Sequence, residues 1–395
     1  MQKRVALAAL VVLAAFAQTP SGIPTLKDLQ ALVNSQKASA DKAKNDPIGY
    51  GWDLFFYMNW PALLDPQHRG QPDPAKQFGQ TGAVVWETLK NSSETFLPNG
   101  VKPAGWATAE VVPPDVLKQP IQPSDSGNLW EHMTGNSEVD GFPAKDNTGQ
   151  DILYEIRQNK SVFDYIVARN LYYIQGQIAY AAKKGNLNFD WSAMEVKASW
   201  RWLNTDKPGC QAQDYFTANA YWAEKDSTGN FLGYKTGVMG MTGLHIITKA
   251  LSQWVWITFE QVNNENCTQV KRLAPIPANI AAINQQMQKL LANTKWKNYE
   301  LVGVQIAPGT TDAPVVLANT QIESAFQSRS SCLTCHAVAS VATHKPAKPE
   351  DNLRMSFLQR TPPVSPPYYI GPPPSLGAFK SMDFVWSLRR AEWQK

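Results

Sequence analysis

Residues 194–202 read MEVKASWRW. Met194, Val196, Ala198, Trp200 and Trp202 alternate with Glu195, Lys197, Ser199 and Arg201. That is a period of two, and it argues a half-buried strand. YFTANAYWAE (215–224) follows, then the turn-forming DSTGN (226–230), a strand-like run from Phe231 to Ile247, and WVWITFEQV (254–262). Such runs, punctuated by turn residues, predict an antiparallel sheet over residues 191–270.

The flanks read differently. Over 18–190 the pattern is mainly helical. Residues 24–46 are polar and helical, GWDLFFYMNWPALL (51–64) is aromatic-rich and broken by Pro61, and 80–97 reads as a further helix. Residues 98–150 are loop-like, and 152–187 carries helical spacing with a stop at Gly185-Asn186. Over 271–395, residues 276–296 form a helix with Pro277 near its start, and APGTTDAP (307–314) is a linker. The stretch from Ala318 to Ala342 reads as a short helix running into a cysteine motif. TPPVSPPYYIGPPP (361–374) is extended, and 383–393 is a terminal amphipathic helix. The expected fold class is α+β: a helical N-terminal part, a central antiparallel sheet and a mostly helical C-terminal segment.

Composition narrows the function classes. Hydrophobic residues make up 43% of the 395, which fits a globular chain with a large core. A formal net charge of +4 gives no support for nucleic acid as a partner. Lys3 and Arg4, the apolar run Val5–Leu13 and Ala15-Phe16-Ala17 have the layout of a signal peptide over 1–17, cleaved after Ala17. The run is too short for a comfortable membrane span, and no other segment of that length is evident. A periplasmic or secreted location is therefore expected, with no stable membrane span after cleavage.

Export bears on the four cysteines, Cys210, Cys267, Cys332 and Cys335. SCLTCHAV (331–338) contains C-x-x-C-H, the attachment pattern of c-type haem. Two thiols at this spacing match the two vinyl groups of one porphyrin, and the imidazole that follows lies under the iron. Cys332 and Cys335 are thus the expected haem attachment points, and His336 the proximal ligand. A redox dithiol is the first alternative, but its motif belongs in a strand–helix unit that this region lacks. Zinc is the second, with His344 as a third ligand and no evident fourth. With the second pair engaged by one haem, Cys210 and Cys267 remain to pair with each other in an oxidising compartment.

The distal ligand decides what the haem does. A strong sixth ligand makes an electron carrier, whereas an open iron permits peroxide, oxygen or small-ligand chemistry. Met355, Met382 and His344 lie downstream. In GVMGMTGLHIITK (237–249) a straight strand puts Met239, Met241, Gly243 and His245 on one face, with the glycine leaving room for a flat ring. One reading is an ordinary core face with a satisfied histidine. The other is that this face covers the haem, with His245 as distal ligand or acid–base residue and Lys249 and Glu195 as nearby polar groups.

YEIRQNKSVFDYI (154–166), EVKASWRWL (195–203), GLHIITKALSQWVWITFEQVNN (243–264) and LANTQIESAFQSRSSCLTCHAVAS (317–340) together resemble a family of exported bacterial cytochrome-c-like proteins of undefined function. The resemblance covers roughly residues 50–340 and the last dozen, and C-x-x-C-H is its most specific element. It implies covalent haem c and a periplasmic location, and it names no substrate. His245 lies in the GLHI part of the matching stretch. The expected function is a mono-haem c-type cytochrome that passes electrons between a redox partner protein and a second protein or small-molecule donor or acceptor. The alternatives are a haem-dependent oxidoreductase with an open distal site and a haem-based sensor. Redox potential, partner and oligomeric state are not legible.

Overall fold

In a computed structural model the described residues are 22–135, 144–203, 207–307, 315–345 and 379–395. The leader, Met355 and the proline-rich stretch lie outside them. The main sheet contains β1 (Lys90–Asn91), β2 (Trp130–His132), β3 (Leu153–Gln158), β4 (Met194–Trp202), β5 (Thr217–Lys225), β6 (Phe231–Thr248), β7 (Val255–Gln261) and β8 (Tyr299–Gln305). Helices α1 (Leu26–Val33), α2 (Gln36–Asn45) and α3 (Pro47–Met58) precede it, with the short α4 (Ser92–Thr95) and α5 (Pro114–Leu117) after them. Then come α6 (Lys160–Ala168), α7 (Ile174–Lys184), α8 (Asn264–Cys267), α9 (Ala278–Leu290) and α10 (Cys332–Ala337). A second, small sheet pairs β9 (Ser340–Ala342) with β10 (Phe379–Ser381).

The fold is α+β around a central, mostly antiparallel sheet. Its strand path is β1-β3-β4-β6-β5-β2, with β7 and β8 continuing from β6. The β2–β5 pair at one edge is parallel. The sheet takes strands from all three sequence regions, 18–190, 191–270 and 271–395. Strand β6 is the axis. It pairs with β4 along one edge, and along the other with β5 in its first half and β7 in its second.

One sheet face carries the larger core. Val196, Ala198, Trp200, Ile257, Phe259 and Leu301 pack there with Trp52, Phe55 and Phe56 of α3 and Ile280 and Ile283 of α9. Local chemistry starts these helices. Ser35 accepts from the Ala38 amide at 3.2 Å, and Asp46 caps α3 at the Gly49 amide at 3.0 Å, with Pro47 at its first position. The opposite face is covered as well. A second core joins α6, α7 and Trp256 to Leu333, Ala337, Val341, Met382 and Leu388 of the C-terminal part. The half-buried expectation for 194–202 is therefore corrected: Glu195, Ser199 and Arg201 are buried too, Glu195 against Ser387 of the C-terminal part, Ser199 against Thr242, and Arg201 against Asp146 and the Cys210 carbonyl.

Other segments depart from their periodicity. Residues 153–158 are a strand and not the start of a helix, because pairing with β4 buries both of its faces and hides the period of two. Residues 80–97 form a 3-10 turn (Val85–Thr88), β1 and α4 instead of one helix. Residues 383–393 hold only a 3-10 turn at Trp386–Arg390, because Asp383 and Phe384 adopt positive φ of 52° and 68°. Most of the run before Cys332 is turns, with one 3-10 turn at Gln327–Arg329. Cys210 and Cys267 are disulfide-bonded and tie the β4–β5 connection to α8 after β7. No helix among the described residues is long and apolar enough to cross a membrane.

Candidate functional site

The second sheet face carries a cleft. Its floor is built on two rows of residues set by strand register, of which Ile156, Lys197, His245, Glu195, Ile247 and Trp256 line the cleft. Ile156, Lys197, His245 and Thr258 stand in one row across β3, β4, β6 and β7. Gln158, Glu195, Ile247, Trp256 and Gln305 form the next, ending on β8.

A bulge places His245 in that row. Between Ser199–Gly243 and Trp200–Met241 the register slips by one, so Thr242 is the extra residue of β6. One inserted residue reverses which side chains face which way. Met239 and Met241 consequently join Leu244 and Ile246 in the larger core, while His245 faces the cleft. The straight-strand expectation of Met239, Met241, Gly243 and His245 on one face is corrected accordingly.

Helix α10 lies over this floor. Cys332 and Cys335 are one turn apart, and both line the cleft with His336, His245, Trp256 and Glu323. Gln305 fixes the start of the helix: its Oε1 accepts from the Leu333 amide at 3.1 Å, and its Nε2 donates to Ser331 Oγ at 3.0 Å. Trp386 Nε1 donates to the Cys335 carbonyl at 3.1 Å. Apolar Ile156, Ile247 and Trp256 line the cleft beside these polar groups.

Both imidazoles are kept neutral by burial, but among the described residues only that of His336 is held by a hydrogen bond. His336 Nδ1 meets the Phe384 carbonyl at 2.7 Å. A carbonyl only accepts, so Nδ1 carries the proton and Nε2 keeps a lone pair. Trp256 packs against the ring, centroid to centroid 4.4 Å. Burial lowers the His336 pKa to about 4, so the ring is neutral at pH 7. His245 is lowered to about 3, first by burial and then by Lys197 and His336. Its buried Nε2 has no hydrogen-bond partner among the described residues. The nearest carboxylate oxygen, Glu323 Oε2, is 3.8 Å away, beyond a hydrogen bond. Burial also raises Glu323 to about 7.

Several buried side-chain atoms lack a partner among the described residues, and His245 Nε2 is the one of them that belongs to a residue lining the cleft. The donor set suits a haem: two thiols at the required spacing, one imidazole held by a backbone acceptor, and a second neutral imidazole in the same cleft. Cys332 and Cys335 are not disulfide-bonded, and burial pushes the Cys332 thiol pKa well up.

The other sequence candidates fall elsewhere. Met382 is fully buried in the second core and does not line the cleft. His344 is exposed. Among the described residues no three His, Cys, Asp or Glu side chains gather as a metal-ion site. Glu195 lines the cleft, whereas Lys249 turns to Asp383. Gln305, Trp256 and Glu323 were not singled out from sequence. Trp256 was reachable through the alternation of WVWITFEQ, but Glu323 sits in a turn that carries no periodic signal.

No family model matches the chain, and neither a curated protein nor a solved structure matches it.

Proposed function

We propose that this protein is an exported mono-haem c-type cytochrome that carries electrons between redox partners. The observation that carries the reading is the convergence of Cys332, Cys335, His336 and the orphaned His245 Nε2 on one cleft. Cys332 and Cys335 would attach the haem, His336 would be its proximal ligand and His245 its distal ligand. Bound there, haem c supplies a one-electron couple. The chain's own residues orient and enclose. Phe384 fixes the His336 tautomer, Gln305 fixes the attachment helix, and the second core shields the site from water. Two strong nitrogen ligands favour electron transfer over substrate binding at the iron. The leader pattern and the Cys210–Cys267 disulfide support an oxidising compartment.

One observation favours a second reading. His245 stands beside Glu323, so the pair also suits acid–base work above an open iron in a haem oxidoreductase or a sensor. Absorption spectra of protein matured in a host that attaches c-type haem decide between them, recorded oxidised, reduced, and reduced with carbon monoxide. The carrier reading expects a low-spin spectrum unmoved by carbon monoxide, turning high-spin in His245→Ala. A high-spin spectrum that shifts with carbon monoxide favours the open site. No covalent haem removes both.

A further inference from the structure

Three non-glycine residues with positive φ gather around the His336 support: Trp254 at 62°, Asp383 at 52° and Phe384 at 68°. Left-handed backbone is strained at such residues and persists only where the surroundings enforce it. Here the enforcement is visible. Asp383 Oδ2 accepts from the Phe189 amide at 2.7 Å and pairs with Lys249, and the pair is buried. Lys249 Nζ also donates to Asn188 Oδ1 at 3.0 Å, and the Asp383 amide donates to Ser381 Oγ at 3.1 Å. The next residue, Phe384, presents the carbonyl that receives His336 Nδ1.

We infer that Lys249 and Asp383 are positioning residues: their buried ion pair holds the left-handed Asp383–Phe384 turn and so aims the Phe384 carbonyl at His336. This deepens the haem reading and rests on it. A terminal helix through 383–393, which the amphipathic pattern favours, commits the Phe384 carbonyl to a helical bond. The ion pair blocks that helix and frees the acceptor. Lys249 leaves the end of β6 and Asp383 follows β10, so the strut joins the sheet floor to the C-terminal layer. An Nδ1–H bond to a firm acceptor raises the basicity of a ligating imidazole, and a more basic ligand stabilises oxidised iron.

The test is the reduction potential of the haem-loaded protein, with thermal stability measured in parallel. Lys249→Met and Asp383→Asn each slacken the strut. Asn186→Ala is the control: it removes a different tether of the same segment, the bond from the Ser381 amide to Asn186 Oδ1 at 2.9 Å. The expected result is a shift of the one-electron equilibrium toward reduced iron by roughly tenfold, about 59 mV, in both strut variants. Asn186→Ala should lose stability with its potential unchanged. Should Asp383→Asn fail to fold, Lys249→Met carries the test alone. Loaded variants with wild-type potential overturn the inference, as does an equal shift in Asn186→Ala. Wild-type protein without covalent haem fails the underlying reading, and that outcome is visible before any variant is made.

Discussion

Replacing both Cys210 and Cys267 with alanine tests the largest single constraint outside the cleft. The bridge closes a loop with a sequence separation of 57. In the chain-entropy description the constant part is roughly 0.6 kcal/mol at 25 °C and the logarithm of loop length adds about 3.6, together about 4 kcal/mol. On the folded side little else changes. Arg201 still donates to the Cys210 carbonyl at 3.2 Å, the Cys267 amide still donates to Asn263 at 3.1 Å, and the Asn147 amide still donates to the Cys267 carbonyl. Those bonds use backbone atoms that alanine keeps. Both cysteines are buried, so the lost sulfur packing adds to the cost. Urea unfolding of the oxidised wild type and the double variant is the assay, with a thiol count on the unreduced wild type. A stability loss of about 4 kcal/mol is expected, with a larger m-value in the variant because its unfolded chain is less compact. A loss under about 1 kcal/mol, or two reactive thiols at these positions in the unreduced protein, refutes the reasoning.

Three further outcomes follow from named contacts. Burial raises Asp53 to about 6 against an ordinary value near 3.9, so the folded state holds its proton longer than the unfolded chain. Asp53 should therefore contribute a fall of roughly 2–3 kcal/mol as pH rises from 4 to 6, and Asp53→Asn should remove that share of the slope. Chemical denaturation at pH 4.5 and 7.5 checks this, and an unaltered slope in the variant counts against it. A Cβ at Gly243 would stand 2.8 Å from Asn319 Nδ2 and 2.8 Å from Ser199 Oγ, so Gly243→Ala should destabilise by about 1–3 kcal/mol. The strain displaces Asn319 from Thr258 and Phe259 and loosens the turn that carries Glu323, which hydrogen exchange at residues 319–323 would register. Gln305→Leu removes both bonds that pin the start of α10, at about 2 kcal/mol by thermal melting. An unchanged melting temperature would show that α10 is held by packing alone.

The C-x-x-C-H spacing, the alternation over 194–202 and the pairing of the remaining cysteines are all local or countable, so they were legible in the chain. The polar helical stretch over 24–46 was legible for the same reason and holds α1 and α2, whereas the break between them at Asn34–Ser35 and the helical character of the aromatic-rich α3 were not. The β3 strand was not, because both of its faces are buried and its pattern shows no period of two. His245 was legible as a candidate but not in its neighbours. Its partners on the strand were taken to be Met239 and Met241, and the Thr242 bulge separates them from it.

What the sequence determined by itself is the set of two thiols and an imidazole near the C-terminus and the α+β character, because both depend on residue type and short spacing. What the tertiary structure decided is which face each residue shows. Register, one bulge and the left-handed turn at Asp383–Phe384 bring His245, Glu323, Gln305 and the Phe384 carbonyl to residues that lie far from them in the chain. Those contacts depend on long-range pairing and on buried ion pairs, whose stabilities are set by every layer packed around them, and no short window of sequence contains that sum.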